Sequence, residues 1–254
     1  MLTLKYFSLK ARGEVPRLIL TAGGVPFNNV KYDFTARPPN HPKIAAKVAE
    51  YKESPADFTG RQWMENKGDY PFQALPVLEN VPELDGAPFP QSRAIVRYCA
   101  RLANLEGSDE ATKIRADIFA ESAYQWFEKV WMKYTILVGM DQMSMKSEKK
   151  LERMDKLKGM MEGECEDYLE SLEKLHVSHC GENSPFFAGK EVTYADFQLL
   201  VTFDLMKDMG YEELIAENAP NLARIAKSVA ALPQISEYIE ENQGVAVVAA
   251  GMLF

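Results

Sequence analysis

The chain has 254 residues, 46% of them hydrophobic and 26% charged, enough to bury one large or two modest cores without disulfide or metal staples. A formal net charge of -8 argues against a nucleic-acid backbone or an anionic membrane as the main partner, because both reward surplus Lys and Arg. Cys99, Cys165 and Cys180 are widely spaced with no CxxC pair, so neither a disulfide framework nor a zinc cluster is expected and no metal is needed.

The first residues lack the basic start and long apolar run of a secretory signal. The longest apolar run, 244–254, is well short of the roughly 20 residues of a membrane span. A docked C-terminal tail, no membrane span and a reducing cytoplasmic setting are the expectations.

Residues 2–7 alternate as a strand, and 14–22 form a helical pattern with Pro16 near its start and Gly23-Gly24 as its stop. A second strand is expected over 27–34. The proline-interrupted stretch 35–60 then reads as a surface insertion with a short helix at 43–52. A third strand over 75–79, a turn at Asp85-Gly86 and a short fourth strand at 87–89 follow. Ser92 is placed as the cap of a helix running to about residue 102.

Residues 104–109 are the expected linker, and the strand signal fades beyond it. Helices are predicted over 111–138, 146–175, 194–209, 221–231 and 233–241. In the second of these, Met154, Met161, Tyr168 and Leu175 recur every seven residues, with Leu151, Cys165 and Leu172 in the companion seam and Lys158 breaking it. Thr193 and Asp196 suit a capping box, with Val192 and Phe197 as its staple. The fold class is α/β plus all-α: a thioredoxin-like domain over 1–102, with a mixed four-stranded sheet and helices, then an all-helical domain over 103–254.

Several side chains in the first domain suit a small anionic thiol peptide. A free thiol has a pKa of about 8.5, so using it at neutral pH requires stabilising its anion. Tyr6, at the end of the first strand, can donate its hydroxyl to such a sulfur, with Arg12 adding charge, although a strand tyrosine is equally a core aromatic. Trp63 and Lys67, four apart, can clamp a carboxylate, or be a lysine beside a half-buried indole. Leu75-Pro76 opens a strand where a cis bond would turn the Leu75 backbone toward a ligand, while a trans proline is the simpler expectation. Gln91 and Ser92 stand at a helix start, where backbone N–H groups receive a carboxylate or the helix is merely capped.

In these motifs, from Tyr6 through Glu14, at Trp63, Lys67 and 75–78, at 91–95 and in the Thr193–Asp196 box, the chain resembles the cytosolic glutathione S-transferases. It is most similar to their sigma class, with its glutathione-dependent prostaglandin D synthases and cephalopod lens crystallins. The resemblance implies that Tyr6 activates the sulfur with support from Arg12. Trp63 and Lys67 would hold the glycyl carboxylate, Leu75 and Pro76 the cysteinyl backbone, and Gln91 with Ser92 the γ-glutamyl end. It also implies a homodimer in which Asp117 of the partner subunit reaches the γ-glutamyl amine.

The implied activity is conjugation of glutathione, as co-substrate, to a hydrophobic electrophile, or reduction of a peroxide, in the manner of a detoxification enzyme. Tyr124, Phe127, Trp131 or Met132 would line the electrophile side. The alternatives are a prostaglandin isomerase and a crystallin-like structural protein. A thioredoxin or glutaredoxin activity is disfavoured because no cysteine lies near the first helix. The long 35–60 stretch, the extra residues at 80–83 and an extended helical segment near 141–150 depart from the family pattern.

Overall fold

The computed structural model describes residues 1–32, 67–142, 148–243 and 245, excluding the side chains of 134–142, 148–151, 153 and 154. The expected insertion at 35–60, Trp63 and nearly all of the 244–254 tail lie outside the described residues.

Strand β1 (Leu2–Phe7) leads through a short turn into helix α1 (Ala11–Ala22), and β2 (Phe27–Tyr32) returns parallel to β1. The helix opens three residues earlier than its apolar pattern suggested and stops where expected. There the Gly23 N–H bonds the Ile19 carbonyl at 3.0 Å, and Gly24 takes a φ of 61° that a Cβ would disfavour. Strands β3 (Val77–Glu79) and β4 (Phe89–Pro90) complete an antiparallel hairpin, giving the order β2-β1-β3-β4. Strand alternation directs Leu2, Leu4 and Tyr6 into the core with Leu78, Ile19 and Ile95. The extra residues after Asn80 wind into a single 3-10 turn, Pro82–Leu84, so the hairpin lengthens without disturbing the register.

Helix α2 (Ser92–Leu102) packs against α1. Its cap position belongs to Gln91, not to Ser92, which is the first helical residue, and no side chain caps the end. The correction is one residue in sequence but it frees the Ser92 hydroxyl for another partner.

After the expected linker come α3 (Glu110–Gln142), α4 (Glu148–Cys180), α5 (Tyr194–Asp208), α6 (Glu212–Asn218), α7 (Pro220–Ala230) and α8 (Pro233–Glu241). The seven-residue α6 was not foreseen, because so short a segment shows too few turns for periodicity to register. Helix α5 is buried around most of its girth, between α3, α7 and α1. On α4 the buried positions are Met161, Cys165, Leu169, Leu172 and His176, spaced by four, four, three and four, while Tyr168 and Leu175 are only half-buried. A helix lying on a globular core follows its own 3.6-residue period, so Met161, Cys165 and Leu172 of the seven-residue pattern are joined in the core by Leu169 and His176.

The start of α5 is fixed by the foreseen capping box. The fully buried Asp196 carboxylate accepts the N–H groups of Thr193 at 2.8 Å and Phe187 at 2.7 Å and the Thr193 hydroxyl at 3.1 Å. Burial pushes its pKa up to about 6 even though these donors pull it down. Asp196→Ala leaves three buried donors unmet, and a loss on the order of 3 kcal/mol is expected in urea denaturation. A loss below about 1 kcal/mol would contradict the role assigned to this cap.

Candidate functional site

The first turn of α1 folds back on the end of β1. Tyr6 keeps its ring in the core, and its hydroxyl accepts the Arg12 backbone N–H at 3.3 Å. This contact satisfies an oxygen lone pair, and among the described residues no acceptor takes the phenolic hydrogen. Gly13 makes the fold-back possible, since a Cβ there would lie 2.3 Å from Tyr6 Cδ1. Burial pushes the Tyr6 pKa up to about 12, with the neighbouring Arg12 opposing it, so the phenol is neutral at physiological pH.

Arg12 also forms part of the wall of a cleft of about 240 Å³, together with Leu75, Pro76, Gln91, Ser92 and Tyr124, while Tyr6 lies behind Arg12 and is not among the lining residues. The Leu75–Pro76 bond is cis, which the sequence alone did not favour over trans. Gln91 has φ 78° and ψ 103°, an unusual backbone for a residue with a side chain, directly before the first turn of α2. Such conformations persist where surrounding structure imposes them, and they gather at ligand sites. The Ser92 hydroxyl lies 3.3 Å from the Tyr124 hydroxyl, linking α2 to α3 across the cleft.

Of the other candidate residues, Lys67 sits half-buried in the 3-10 turn Lys67–Asp69, outside the walls of the cleft among the described residues. Asp117 lies on α3 with its side chain 59% exposed. It is held within its own chain by the Tyr194 hydroxyl and by Arg97 Nε at 3.3 Å. On the helical side Tyr124 faces the cleft and Trp131 lies under the Arg12 guanidinium, 4.8 Å from its ring centroid. Phe127 is closed off in the core, so it does not line the cleft, and Met132 is exposed.

None of the cysteines offers a ready nucleophile. Burial pushes Cys99 and Cys165 up to about 12 and also raises Cys180. Among the described residues no group of three or more His, Cys, Asp or Glu side chains could hold a metal ion, and no helix is long and apolar enough to cross a membrane.

The family model for the glutathione S-transferase C-terminal domain matches residues 136–242. Along nearly the whole chain, similarity runs to proteins of the same name. A probable glutathione S-transferase 6 of Caenorhabditis elegans is 26% identical over 93% of this chain and 94% of its own. Along nearly its whole length the chain is similar to glutathione S-transferases.

A glutathione S-transferase Mu 6 of Mus musculus is 28% identical over 95% of this chain and 91% of its own. Among solved structures, a Pi-class glutathione S-transferase of Onchocerca volvulus shares the fold with a TM-score of 0.69 at 22% identity, covering 98% of each chain. Relatives of differing class names match at comparable identity, so the similarity singles out no one class.

Two residues beside this site lie outside the motifs of the sequence. Arg17, 1% exposed, donates from Nη1 to the Leu9 carbonyl at 2.6 Å and to Glu14 Oε2 at 3.1 Å, and from Nη2 to the Phe7 carbonyl at 3.0 Å. The Tyr238 hydroxyl of α8 donates to the same Glu14 oxygen at 3.2 Å. The available signal was a Glu–Arg pair three apart on an otherwise apolar helix, where an unpaired charge would be costly. The second is Glu128 of α3, whose carboxylate grips Arg12. Nothing local in the sequence marks it.

Proposed function

We propose that this protein is a glutathione transferase that binds glutathione in the cleft beside Tyr6, stabilises its thiolate and adds it to hydrophobic electrophiles. The observation that carries the proposal is the Tyr6 hydroxyl, buried and neutral, with one lone pair taken by the Arg12 N–H and, among the described residues, no acceptor on its hydrogen. A neutral phenol cannot serve as a base at pH 7. It acts instead by hydrogen bonding to the sulfur anion, which lowers the thiol pKa and raises the reactive fraction. The thiol proton leaves to solvent. With an aryl halide the sulfur lone pair then forms the C–S bond, and the halide departs with the electrons of the broken carbon–halogen bond.

Residues 1–102 act as the glutathione-binding domain and 103–254 as the helical domain facing the electrophile. The Leu75 backbone, next to the cis Pro76, meets the cysteinyl part of the peptide as a strand edge would. The first turn of α2, with Gln91 and Ser92, receives the γ-glutamyl carboxylate through its N–H groups and helix dipole. Lys67, with Trp63, holds the glycyl end. A cytoplasmic setting supplies glutathione in reduced form and suits three unpaired cysteines. Peroxide reduction would use the same thiolate.

The γ-glutamyl ammonium needs an anion, and no carboxylate is among the walls of the cleft in the described residues. The reading supplies it from Asp117 of a second copy in a two-fold dimer. Its carboxylate is exposed, and Tyr194 with Arg97 hold it in a defined position, which favours such a contact.

Tyr6→Phe is expected to retain the fold and most glutathione affinity but lose on the order of 2 kcal/mol of transition-state stabilisation, tens-fold in conjugation rate with an aryl halide. A parent protein that neither binds immobilised glutathione nor conjugates the halide would rule the function out. Asp117→Ala is expected to raise the KM for glutathione several-fold while sedimentation still shows a dimer. An unchanged KM, or a fully active monomer, would remove the shared site.

A further inference from the structure

Arg12 and Glu128 stand 116 residues apart, one in the first turn of α1 and the other midway along α3. Arg12 Nε donates to Glu128 Oε1 at 2.8 Å and Nη2 to Oε2 at 2.6 Å, so the guanidinium fork meets both carboxylate oxygens. Trp131, three residues further along α3, stacks beneath the guanidinium. Two in-plane bonds and one covered face fix the plane and tilt of a side chain that would otherwise sample many rotamers. Neither bond uses Nη1, and Arg12 is part of the cleft wall while its backbone N–H meets the Tyr6 hydroxyl.

The groups facing Glu128 and Arg12 come from three elements: Tyr6 on β1, Arg12 on α1 and Tyr124 on α3 itself. Burial raises both tyrosines, and the bonds from Glu128 hold Arg12 protonated. Over the range in which a bound thiol titrates, the charges acting at Tyr6 from these elements are those of the Arg12–Glu128 pair and of Arg17, which is already paired with Glu14.

We infer that Glu128 is a positioning residue for thiol activation, holding Arg12 so that its Nη1 edge faces the sulfur of glutathione bound in the cleft. The inference rests on the glutathione-transferase reading and adds to it the residue that governs Arg12. Glu128 has two effects of opposite sign. Its negative charge disfavours a nearby thiolate, whereas its grip on Arg12 favours it. Positioning is the larger effect because Arg12 lies nearer the cleft and loses its orientation when both bonds go.

The two effects separate in a pair of variants. Glu128→Ala removes charge and grip, while Glu128→Gln removes the charge and retains one acceptor for an Arg12 N–H. The pKa of enzyme-bound glutathione is read from thiolate ultraviolet absorbance and from the acid limb of kcat/KM for an aryl halide. Glu128→Ala is expected to raise it by about one unit with less than a twofold change in KM for glutathione, and Glu128→Gln to leave it at or below the parent value. In an Arg12→Ala background only the charge effect of Glu128 is left, so adding Glu128→Ala is expected to lower the pKa slightly rather than raise it further.

A lowered pKa in both variants would mean that Glu128 acts by charge alone and would overturn the inference. So would additive shifts in the double variant, or a lowered Tm with an unmoved pH profile. If the parent protein itself shows no thiolate band with glutathione, the function proposed above fails and takes this role with it. A normal parent band with an unmoved Glu128→Ala profile removes only the role of Glu128.

Discussion

Arg17 carries a charge closed off from water, and a charge so placed must be met by partners or cost several kcal/mol. Its partners are the Phe7 and Leu9 carbonyls and the Glu14 carboxylate, with the Asn29 side-chain oxygen at 3.2 Å from Nε. Those two carbonyls belong to the turn that must bring Arg12 back to Tyr6. Satisfying one buried cation therefore fixes the backbone on which the Tyr6–Arg12 contact depends. The guanidinium also lies 5.7 Å from the Tyr6 ring centroid, so the same group packs against the phenol it helps to place.

The turn is also tied outward. Lys10 pairs with Asp204 of α5 at 3.1 Å and Arg12 with Glu128 of α3, so residues on either side of Ala11 are anchored to the helical part of the chain. Half-exposed ion pairs of this kind contribute little to stability, commonly 0–1 kcal/mol. Their consequence is geometric. The cleft has one wall on the sheet and α2 and the other on α3, and these pairs, with Ser92 and Tyr124, set how the walls face each other.

Features encoded by neighbours in sequence were the legible ones. The 2–7 strand, the Gly23-Gly24 stop and the Thr193–Asp196 box all follow from residues within four positions of one another. The cap at Gln91 was assigned one residue late because Ser92 has the more usual capping side chain, and only the backbone shows that Gln91 adopts the non-helical conformation. On α4 the core positions Met161, Cys165 and Leu172 were legible from the seven-residue spacing, whereas Leu169 and His176 were not, because a helix on a globular core drifts to its own 3.6-residue period. Tyr6, Arg12, Leu75, Gln91 and Ser92 were legible as types in order. Arg17 and Glu128 were not, since their roles depend on a turn conformation and on the rotation of α3 about its axis. The Tyr194–Asp117 contact spans 77 residues and was equally out of reach of local pattern.

If the Tyr6 phenol activates the thiol as proposed, the sulfur of bound glutathione sits against its hydroxyl in the cleft walled by Leu75, Gln91 and Ser92. A crystal structure of the parent protein with glutathione measures this directly. The sulfur is expected within about 3.5 Å of Tyr6 Oη, with the γ-glutamyl carboxylate at the first turn of α2. Glutathione bound with its sulfur away from Tyr6, for example against Ser8, would contradict it.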